Sequence, residues 1–207
     1  MSRTSAPADP RLAAVILAAG GSSRLGRPKQ LLRYRGATLI ERAVRLARRV
    51  AGGGIVVVVG DQRQRLRSLL RRREHRRADD GRLRIVGNAR WAAGLAASLS
   101  VGIAAVPPTA QAALILVVDQ ARLDARDIER LVAAWRRRPS KPAAALYRER
   151  AGVPVVMPRR WFSELANLTG DVGARQVLRR LGDISLVEMP AAAFDVDSPA
   201  DAESLGI

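Results

Sequence analysis

The chain of 207 residues contains no cysteine, which excludes disulfide bonds, thiolate zinc sites and cysteine nucleophiles. Its one histidine, His75, stands in the charged stretch RRREHRRADDG, where no Ser-His-Asp arrangement can be built around it. Aromatic residues make up only 3% of the chain, too few for a surface that stacks bases. No apolar run is long enough to span a bilayer, so we expect neither thiol chemistry nor a membrane-spanning role.

Lysine is almost as scarce as histidine. Of 36 basic residues only Lys29 and Lys141 are lysines, and the formal net charge is +17. Such a charge is typical of nucleic-acid-binding proteins, but here the arginines are scattered over almost every predicted helix. We therefore expect no specific nucleic-acid partner and no membrane partner. A basic surface would still attract small polyanionic molecules.

The N-terminal segment allows two interpretations. Arg3 and Arg11 precede LAAVILAAG, which resembles the charged and apolar regions of a signal peptide. The apolar part is at the short limit and Asp9 lies among the flanking charges, so a buried first strand is the favoured interpretation. We predict a flexible tail over residues 1–10, one domain over residues 11–207, and a cytoplasmic location.

Strand and helix patterns alternate along the chain. The continuous apolar runs Ile55–Val59 and Leu114–Asp119 are typical of strands buried on both faces of a sheet. With the helical segments between them, they predict an α/β fold with a mostly parallel, three-layer sheet. The patterns predict further strands at Ala13–Leu17, Leu83–Val86, Ala143–Leu146, Val153–Met157 and Ile184–Glu188, and helices at Leu39–Val50, Gln62–Arg73, Leu95–Ala105, Asp124–Arg137, Arg159–Leu165, Val172–Leu181 and from Pro199 onward.

Sheets of this kind bind ligands outside the carboxyl ends of their strands. This rule selects the loop after Leu17, the loop that begins at Asn88, and Asp119. The first of these, LAAGGSSRLGRPKQLL over residues 17–32, matches neither of two common phosphate loops. Arg27-Pro28 stands where a Walker A loop requires lysine and a hydroxyl residue, and serine replaces the second glycine of the dinucleotide pattern.

The chemistry of this segment nevertheless suits an anion. Gly20 and Gly21 allow backbone N–H groups to approach a phosphate closely. Further hydroxyl and cationic donors to the anion would come from Ser22, Ser23, Arg24 and Lys29. The alternative interpretation of the segment is a polar turn between a strand and a helix.

LAAGGSSRLGRPKQLL resembles the signature loop of the molybdenum cofactor cytidylyltransferases, within the MobA-like nucleotidyltransferase superfamily. The shared features are LAAG, a serine-bearing turn, Arg-x-Gly and the PKQLL ending, and they imply a Rossmann-like (GT-A-like) fold. They also imply that Arg24 and Lys29 hold nucleotide phosphates. In a chain that uses arginine almost everywhere else, lysine at position 29 indicates a place where a slender point charge must fit against a triphosphate. By the same resemblance the nucleotide contacts Leu17, Ala18, Ala19, Gly20, Gly21 and Ser22.

The segment NARWAAGLAASLSVGI, residues 88–103, resembles the base-recognition segment of the same family. Gly94 would let a base approach the backbone, and Ser98 would present a hydroxyl from the first turn of a helix. From the residues alone, Ser98 is equally well explained as a serine on a helix face and Trp91 as a packing residue.

Asp119 ends the apolar run LILVVD, where a carboxylate is costly unless it is paired or binds a metal. The alternative is a helix cap or an ion-paired loop residue. The family has Asp-Gln-Pro here, with the aspartate on Mg²⁺, whereas this chain has Ala121 in place of the proline. FDVDSPADAESL resembles the closing Asp-x-Asp-Thr-Pro-x-Asp motif, which implies that Asp195 or Asp197 shares the metal with Asp119.

GDVGAR, residues 170–175, resembles a turn of the acceptor pocket. The resemblance implies that Asp171 and Arg175 contact a charged pterin. Asp171 is equally well explained as a cap of the helix that follows it.

The resemblance covers nearly the whole chain and implies Mg²⁺-dependent transfer of CMP from CTP to molybdopterin, with release of pyrophosphate. Lys29, Arg24 and Asp119 would be the catalytic residues. A molybdenum hydroxylase of the xanthine dehydrogenase type, or its chaperone, would be a transient partner. Two alternatives stay open: a related nucleotidyltransferase that uses GTP, a sugar phosphate or another small acceptor, and a non-catalytic nucleotide-binding maturation factor.

Overall fold

The apolar runs of the sequence form the centre of one large β-sheet. A computed structural model of the protein describes residues 7–75 and 81–207. The strands in chain order are β1 (Leu12–Ala18), β2 (Arg33–Tyr34), β3 (Ala37–Thr38), β4 (Ile55–Val59), β5 (Leu83–Gly87), β6 (Ala112–Val117), β7 (Ala143–Tyr147), β8 (Arg150–Pro158) and β9 (Ser185–Glu188).

Within the described residues the sheet has seven strands in the order β5-β4-β1-β6-β8-β7-β9, and β2 pairs with β3 in a separate hairpin. Strands β5, β4, β1 and β6 run parallel, as do β7 and β9, whereas β8 is antiparallel to both β6 and β7. The predicted α/β fold with a mostly parallel sheet is thereby confirmed. Because β1 lies between β4 and β6, the carboxyl ends of these three strands meet at one edge of the sheet.

Helices cover both faces of the sheet and complete the predicted three layers. In the described part of the chain they are α1 (Leu39–Val50), α2 (Arg63–His75), α3 (Leu95–Ala104), α4 (Ala125–Arg137), α5 (Phe162–Ala166), α6 (Ala174–Leu178) and α7 (Pro199–Ser204). Alternate residues of β1 point to opposite faces: Ile16 packs in a core with α1, α2 and α4, and Val15 packs in a second core with α3, α5 and α6. No helix in the described ranges has the length and apolar composition needed to cross a bilayer.

The antiparallel strand β8 results from a tight turn that the sequence patterns do not reveal. Arg148 and Glu149 form the two-residue connection from β7, and both have left-handed φ values, 48° and 60°. Two successive left-handed residues are the mark of a type I′ turn, which joins antiparallel strands. The usual Asn-Gly signal of such a turn is absent here, so the sequence predicted two separate short strands.

Other predicted elements differ from the structure mainly at their ends. The predicted helix Val172–Leu181 shortens to α6, and Arg159–Leu165 divides into a 3₁₀ turn and α5. The strand predicted to end at Asp119 ends two residues earlier, so Asp119 lies in the loop after β6. The backbone of His75 ends α2, and its side chain lies outside the described residues.

Part of the predicted flexible tail is anchored to the sheet. Residues 1–6 lie outside the described residues, but Asp9 is buried and forms a β-bridge with Ala51. Its carboxylate is paired with Arg11 at 3.0 Å and with Arg136 at 3.1 Å. Asp9, which the predicted tail includes, is therefore held in place by its two arginine partners.

We expect Asp9→Asn to lower the free energy of unfolding at pH 7 by about 2 kcal/mol. Hydrogen bonds from Arg11 outweigh the effect of burial and, with those from Arg136, lower the pKa of Asp9 from 3.8 to about 2. Such a group stabilises the fold above its unfolded-state pKa, and the stabilisation is lost as the pH falls from about 4 to about 2. Urea titrations at several pH values measure this difference.

Asp183→Asn is the matched control for this measurement. Asp183 is paired with Arg138 and Lys141 on the exposed surface, where ion pairs contribute little. A loss of stability as large as that of Asp9→Asn would contradict the assignment of the effect to the buried carboxylate.

Candidate functional site

A cleft of about 560 Å³ opens at the carboxyl ends of β1 and β6. It brings together the three places that the sequence selected, namely the loop after β1, the segment that precedes α3, and Asp119. Asp171 and Asp197 also line it. Every residue predicted to contact a nucleotide lies along this cleft: Leu17, Ala18, Ala19, Gly20, Gly21, Ser22, Arg24, Lys29, Gly94 and Ser98.

Lys29 lies at the centre of an ion-pair cluster on one wall of the cleft. Its Nζ donates to Asp119 Oδ2 at 2.6 Å and to Asp197 Oδ1 at 2.9 Å. Arg24 Nη2 donates to the other oxygen of Asp197, Oδ2, at 2.9 Å. The side chains of Lys29 and Asp119 are only 15% and 18% exposed, whereas that of Arg24 is 75% exposed. The cluster therefore has a half-buried centre, formed by Lys29 and Asp119, and one solvent-exposed member, Arg24.

The charges of this cluster stabilise one another. Burial by itself would lower the pKa of Lys29, but the adjacent carboxylates of Asp119 and Asp197 outweigh burial and raise it. Burial would likewise raise the pKa of Asp197, yet Lys29 and then Arg24 lower it. Lys29 and Asp197 are therefore both charged at neutral pH.

Asp195 has a different environment from Asp197, two residues away. It is absent from the lining of the cleft, and burial together with the negative charges of Asp119 and Asp197 raises its pKa to about 6. Its charge in turn helps to raise the pKa of Tyr147, whose burial is the larger cause. Although the residue as a whole is exposed, its carboxylate thus adds an incompletely compensated negative charge near Asp119 and Asp197.

The donor set of the cluster fits a divalent cation. Asp119 Oδ1 is buried and has no hydrogen-bond partner among the described residues. Carboxylate oxygens are the ligands that Mg²⁺ and Mn²⁺ prefer. Among the described residues, no group of three or more acidic or histidine side chains is gathered as metal ligands, and Asp119 and Asp197 converge on the ammonium of Lys29.

Gln30 holds the glycine-rich turn in place, a role that the sequence interpretation missed. Its side chain is 1% exposed, and Nε2 donates to the carbonyl oxygens of Ala18 at 3.0 Å and Gly20 at 2.7 Å. The backbone N–H of Lys29 donates to Ser22 Oγ at 3.0 Å. The sequence feature that could have indicated this role is the glutamine between the lysine and the two leucines of PKQLL.

Trp91 packs across the glycine-rich turn. A Cβ added to Gly21 would lie 2.9 Å from the ring of Trp91. A Cβ added to Gly60 would lie 2.6 Å from the Cβ of Trp91. The side chain therefore fits only against glycines at both positions. The structural interpretation of Trp91 as a packing residue is correct, although it also lines the cleft.

Gly94 is required by its backbone neighbours. Its φ is +106°, and a Cβ there would lie 2.5 Å from the carbonyl oxygen of Gly170. Asp171 Oδ1 accepts from the N–H of Leu95 at 3.3 Å, so Asp171 binds the amino end of α3 and not the helix that follows it. The buried Ser98 accepts from Asn88 Nδ2 at 3.0 Å, which fixes its hydroxyl at the base of the cleft.

The structure places Asp171 and Arg175 in different cavities. Asp171 lines the main cleft, whereas Arg175 lines a cavity of about 540 Å³ beside β8 and β9. Arg175 Nη2 donates to the hydroxyl of Tyr147 at 3.1 Å. Burial raises the pKa of Tyr147, and the nearby charge of Asp195 raises it further, whereas Arg175 acts in the opposite direction.

The loop after β6 is held without the family's proline. The N–H of Ala121 donates to the carbonyl oxygen of Asp119 at 2.8 Å, a bond that proline cannot form. The same oxygen accepts from the N–H of Val196 at 3.1 Å. Gln120 Nε2 donates to the carbonyls of Val153 and Ala192 at 3.0 and 2.7 Å, so neighbouring segments also fix the loop.

Comparison with known protein families identifies this protein as a nucleotidyltransferase. Residues 14–184 match the family described as the MobA-like NTP transferase domain, and the chain belongs to that family. The resemblance of the glycine-rich turn to the MobA-like superfamily is thereby confirmed.

Several known proteins resemble the chain over most of its length. It is 35% identical over 180 residues to nicotine blue oxidoreductase of Paenarthrobacter nicotinovorans, with 83% of each chain covered. The crystal structure of Rv0371c from Mycobacterium tuberculosis H37Rv is 28% identical, with a TM-score of 0.74 over 94% of this chain and 97% of that one. A structure of Rv0371c in complex with manganese is 25% identical, with a TM-score of 0.71 over 97% and 98% of the two chains.

We expect Gly94→Ala to lower the free energy of unfolding by about 3 kcal/mol, because the new methyl group would meet the backbone of Gly170. Gly170→Ala is the matched control: its φ is also left-handed, +75°, but a Cβ there has no atom within 4 Å among the described residues. The control should lose only about 1 kcal/mol in guanidinium titrations. Equal losses would show that the close backbone contact is not what requires glycine at position 94.

Proposed function

We propose that the protein transfers CMP from CTP to the terminal phosphate of molybdopterin, with Mg²⁺, and releases pyrophosphate in the cytoplasm. One observation carries the proposal: Lys29 Nζ lies between the carboxylates of Asp119 and Asp197 beside a glycine-rich turn. This arrangement puts a cation for phosphates next to oxygen ligands for a metal. The resemblance of the PKQLL ending and of the segment around Ser98 supports CTP as the nucleotide.

In the proposed complex, the nucleotide lies along the cleft with its phosphates at the glycine-rich turn. Backbone N–H groups of Gly20 and Gly21 would donate to the phosphates, while Arg24 and Lys29 would offset their negative charge. The base would lie toward Ser98, whose hydroxyl is fixed by Asn88. The remaining contacts would come from Leu17, Ala18, Ala19, Ser22 and Gly94, which line the same cleft.

The proposed reaction is a displacement at phosphorus. A phosphate oxygen of the acceptor forms a bond to the α-phosphorus of CTP, and the bond from that phosphorus to the bridging oxygen breaks, so that pyrophosphate leaves with the electron pair. The acceptor is already an anion, so no residue has to remove a proton from it. Lys29 and Arg24 would stabilise the charge that develops on the transferred and leaving groups.

Asp119 and Asp197 are the proposed metal ligands. Asp197 is preferred to Asp195 because Asp197 lines the cleft and shares the ammonium of Lys29 with Asp119. When bound there, Mg²⁺ would neutralise phosphate charge and polarise the α-phosphate. The charge of Asp195 would strengthen the attraction of the site for a cation without direct coordination.

The acceptor would approach from the side of Asp171, which lines the cleft. Contact with Arg175 as well would require an acceptor long enough to pass Tyr147, because Arg175 faces the neighbouring cavity. A charged pterin that carries its phosphate at one end suits this arrangement. The product would pass to a molybdenum hydroxylase of the xanthine dehydrogenase type or to its chaperone.

The name of the bacterial relative favours a second candidate. Nicotine blue oxidoreductase is 35% identical over 180 residues, so the same cleft could serve a redox reaction with a nucleotide-containing cofactor. The chain has no cysteine, so its electrons would have to come from that cofactor. Incubation with nicotine blue as the electron acceptor and a reduced nicotinamide dinucleotide as the donor tests this candidate separately, because a redox reaction would lower the absorbance of the reduced nicotinamide.

We expect pyrophosphate release when purified protein, Mg²⁺ and molybdenum-loaded molybdopterin are mixed with CTP, and much less release with ATP, GTP or UTP. A coupled phosphate assay with each nucleotide measures the preference, and a chelator of Mg²⁺ should stop the reaction. A preference for GTP would assign the protein to the guanylyltransferase branch. No release with any nucleotide would refute the catalytic proposal and favour a maturation factor.

We expect Asp119→Asn to lower turnover by a factor of roughly 10³ or more, because a metal ligand supports several kcal/mol of transition-state stabilisation. The fold should persist, which circular dichroism can verify. Asp183→Asn is a surface control that removes the same charge outside the cleft and should retain full turnover. Normal turnover of Asp119→Asn would remove Asp119 from the proposed metal site.

A further inference from the structure

The carboxylate oxygens that face the cleft are almost fully engaged by basic side chains. Asp119 Oδ2 and Asp197 Oδ1 both accept from Lys29 Nζ, and Asp197 Oδ2 accepts from Arg24. Of the four oxygens of these two carboxylates, only Asp119 Oδ1 has no partner among the described residues. A cation that needs both carboxylates therefore has to compete with the ammonium of Lys29.

The ammonium is well placed to compete. Lys29 is half-buried, lies within 2.9 Å of both carboxylates, and begins a 3₁₀ turn that follows Pro28. Its backbone N–H is held by Ser22, so the base of the side chain stays beside the glycine-rich turn. The ammonium of Lys29 and the guanidinium of Arg24 together balance the two carboxylates without any further ion.

We propose that Lys29 occupies the place of a divalent cation between Asp119 and Asp197, so that the site takes up the cation together with nucleotide phosphates and only weakly alone. This inference rests on the proposed function, because it assigns the form in which the nucleotide is bound. The ligand is the complex of a divalent cation with a nucleoside triphosphate.

The phosphates supply the reason for Lys29 to leave the carboxylates. A triphosphate at Gly20 and Gly21 would lie beside the root of the Lys29 side chain and offer it an anion of higher charge. When Lys29 exchanges a carboxylate for a phosphate, its ammonium stays paired with an anion. Arg24, whose side chain is 75% exposed, can likewise move from Asp197 to a phosphate. Both carboxylates then become available to the cation. Binding of the nucleotide and binding of the cation therefore strengthen each other, and the coupling is reciprocal.

The test measures Mn²⁺ binding without any turnover. Free Mn²⁺ is followed by electron paramagnetic resonance in wild-type protein, in Lys29→Met and in Lys141→Met. Lys141 is the other lysine of the chain and pairs with Asp183 on the surface, so it controls for loss of one positive charge. We expect Lys29→Met to bind Mn²⁺ alone roughly tenfold more tightly or better, with the other two proteins equal. Equal Mn²⁺ affinity in all three proteins would overturn the inference.

A second measurement uses wild-type protein alone, so that it decides the question even if Lys29→Met does not fold. Mn²⁺ binding is compared without nucleotide and with the α,β-methylene analogue of CTP or of GTP, which cannot release pyrophosphate. Samples without protein correct for Mn²⁺ held by the nucleotide. We expect the protein to retain Mn²⁺ strongly only when an analogue is present, and unchanged affinity would contradict the inference.

These results are separable from the proposed reaction. If pyrophosphate release occurs but Lys29 has no effect on Mn²⁺ binding, the reaction stands and the role of Lys29 as a competitor is wrong. If no nucleotide is turned over but Lys29→Met still binds Mn²⁺ more tightly, the competition stands and the reaction is wrong.

Discussion

The contact of Lys29 with Asp119 and Asp197 is the interaction on which the arrangement of the cleft depends. It joins residues that are 90 and 168 positions apart in the chain. Two carboxylates brought this close at a half-buried position would repel each other without a cation between them. The charge balance at this point therefore constrains the turn after β1, the loop after β6 and the segment before α7 together.

The sheet supplies two of these three segments directly. Strands β1 and β6 are parallel neighbours, so the glycine-rich turn and Asp119 leave the sheet at the same edge. The third segment is held by a small apolar cluster in which Val196 and Ala202 pack against Leu25, Leu32 and Ala121. Burial of these side chains brings Asp197 to the cleft, whereas Asp195 stays exposed and outside the lining of the cleft. Packing thus separates two aspartates that are indistinguishable in the sequence motif.

The sequence predicted well where one physical requirement dominates. The runs that became the buried strands β4 and β6 were predicted correctly as strands, because short runs of adjacent β-branched and apolar residues are typical of strands buried on both faces. The prediction failed where two opposed requirements had to be weighed. Arg148 and Glu149 adopt left-handed backbone angles despite their side chains, and Asp9 is buried because two arginines offset its charge. Neither outcome has a local signal in the sequence.

The sequence by itself determined the fold class, the family and the residue types available for binding an anion, because periodicity and short motifs are local properties of the chain. Only the tertiary structure decided how those residues are paired. It placed Lys29 between two carboxylates, assigned Asp171 to the amino end of α3, and put Arg175 in a separate cavity. These outcomes depend on distances between segments that meet only when the sheet, its helices and the final segment are packed together.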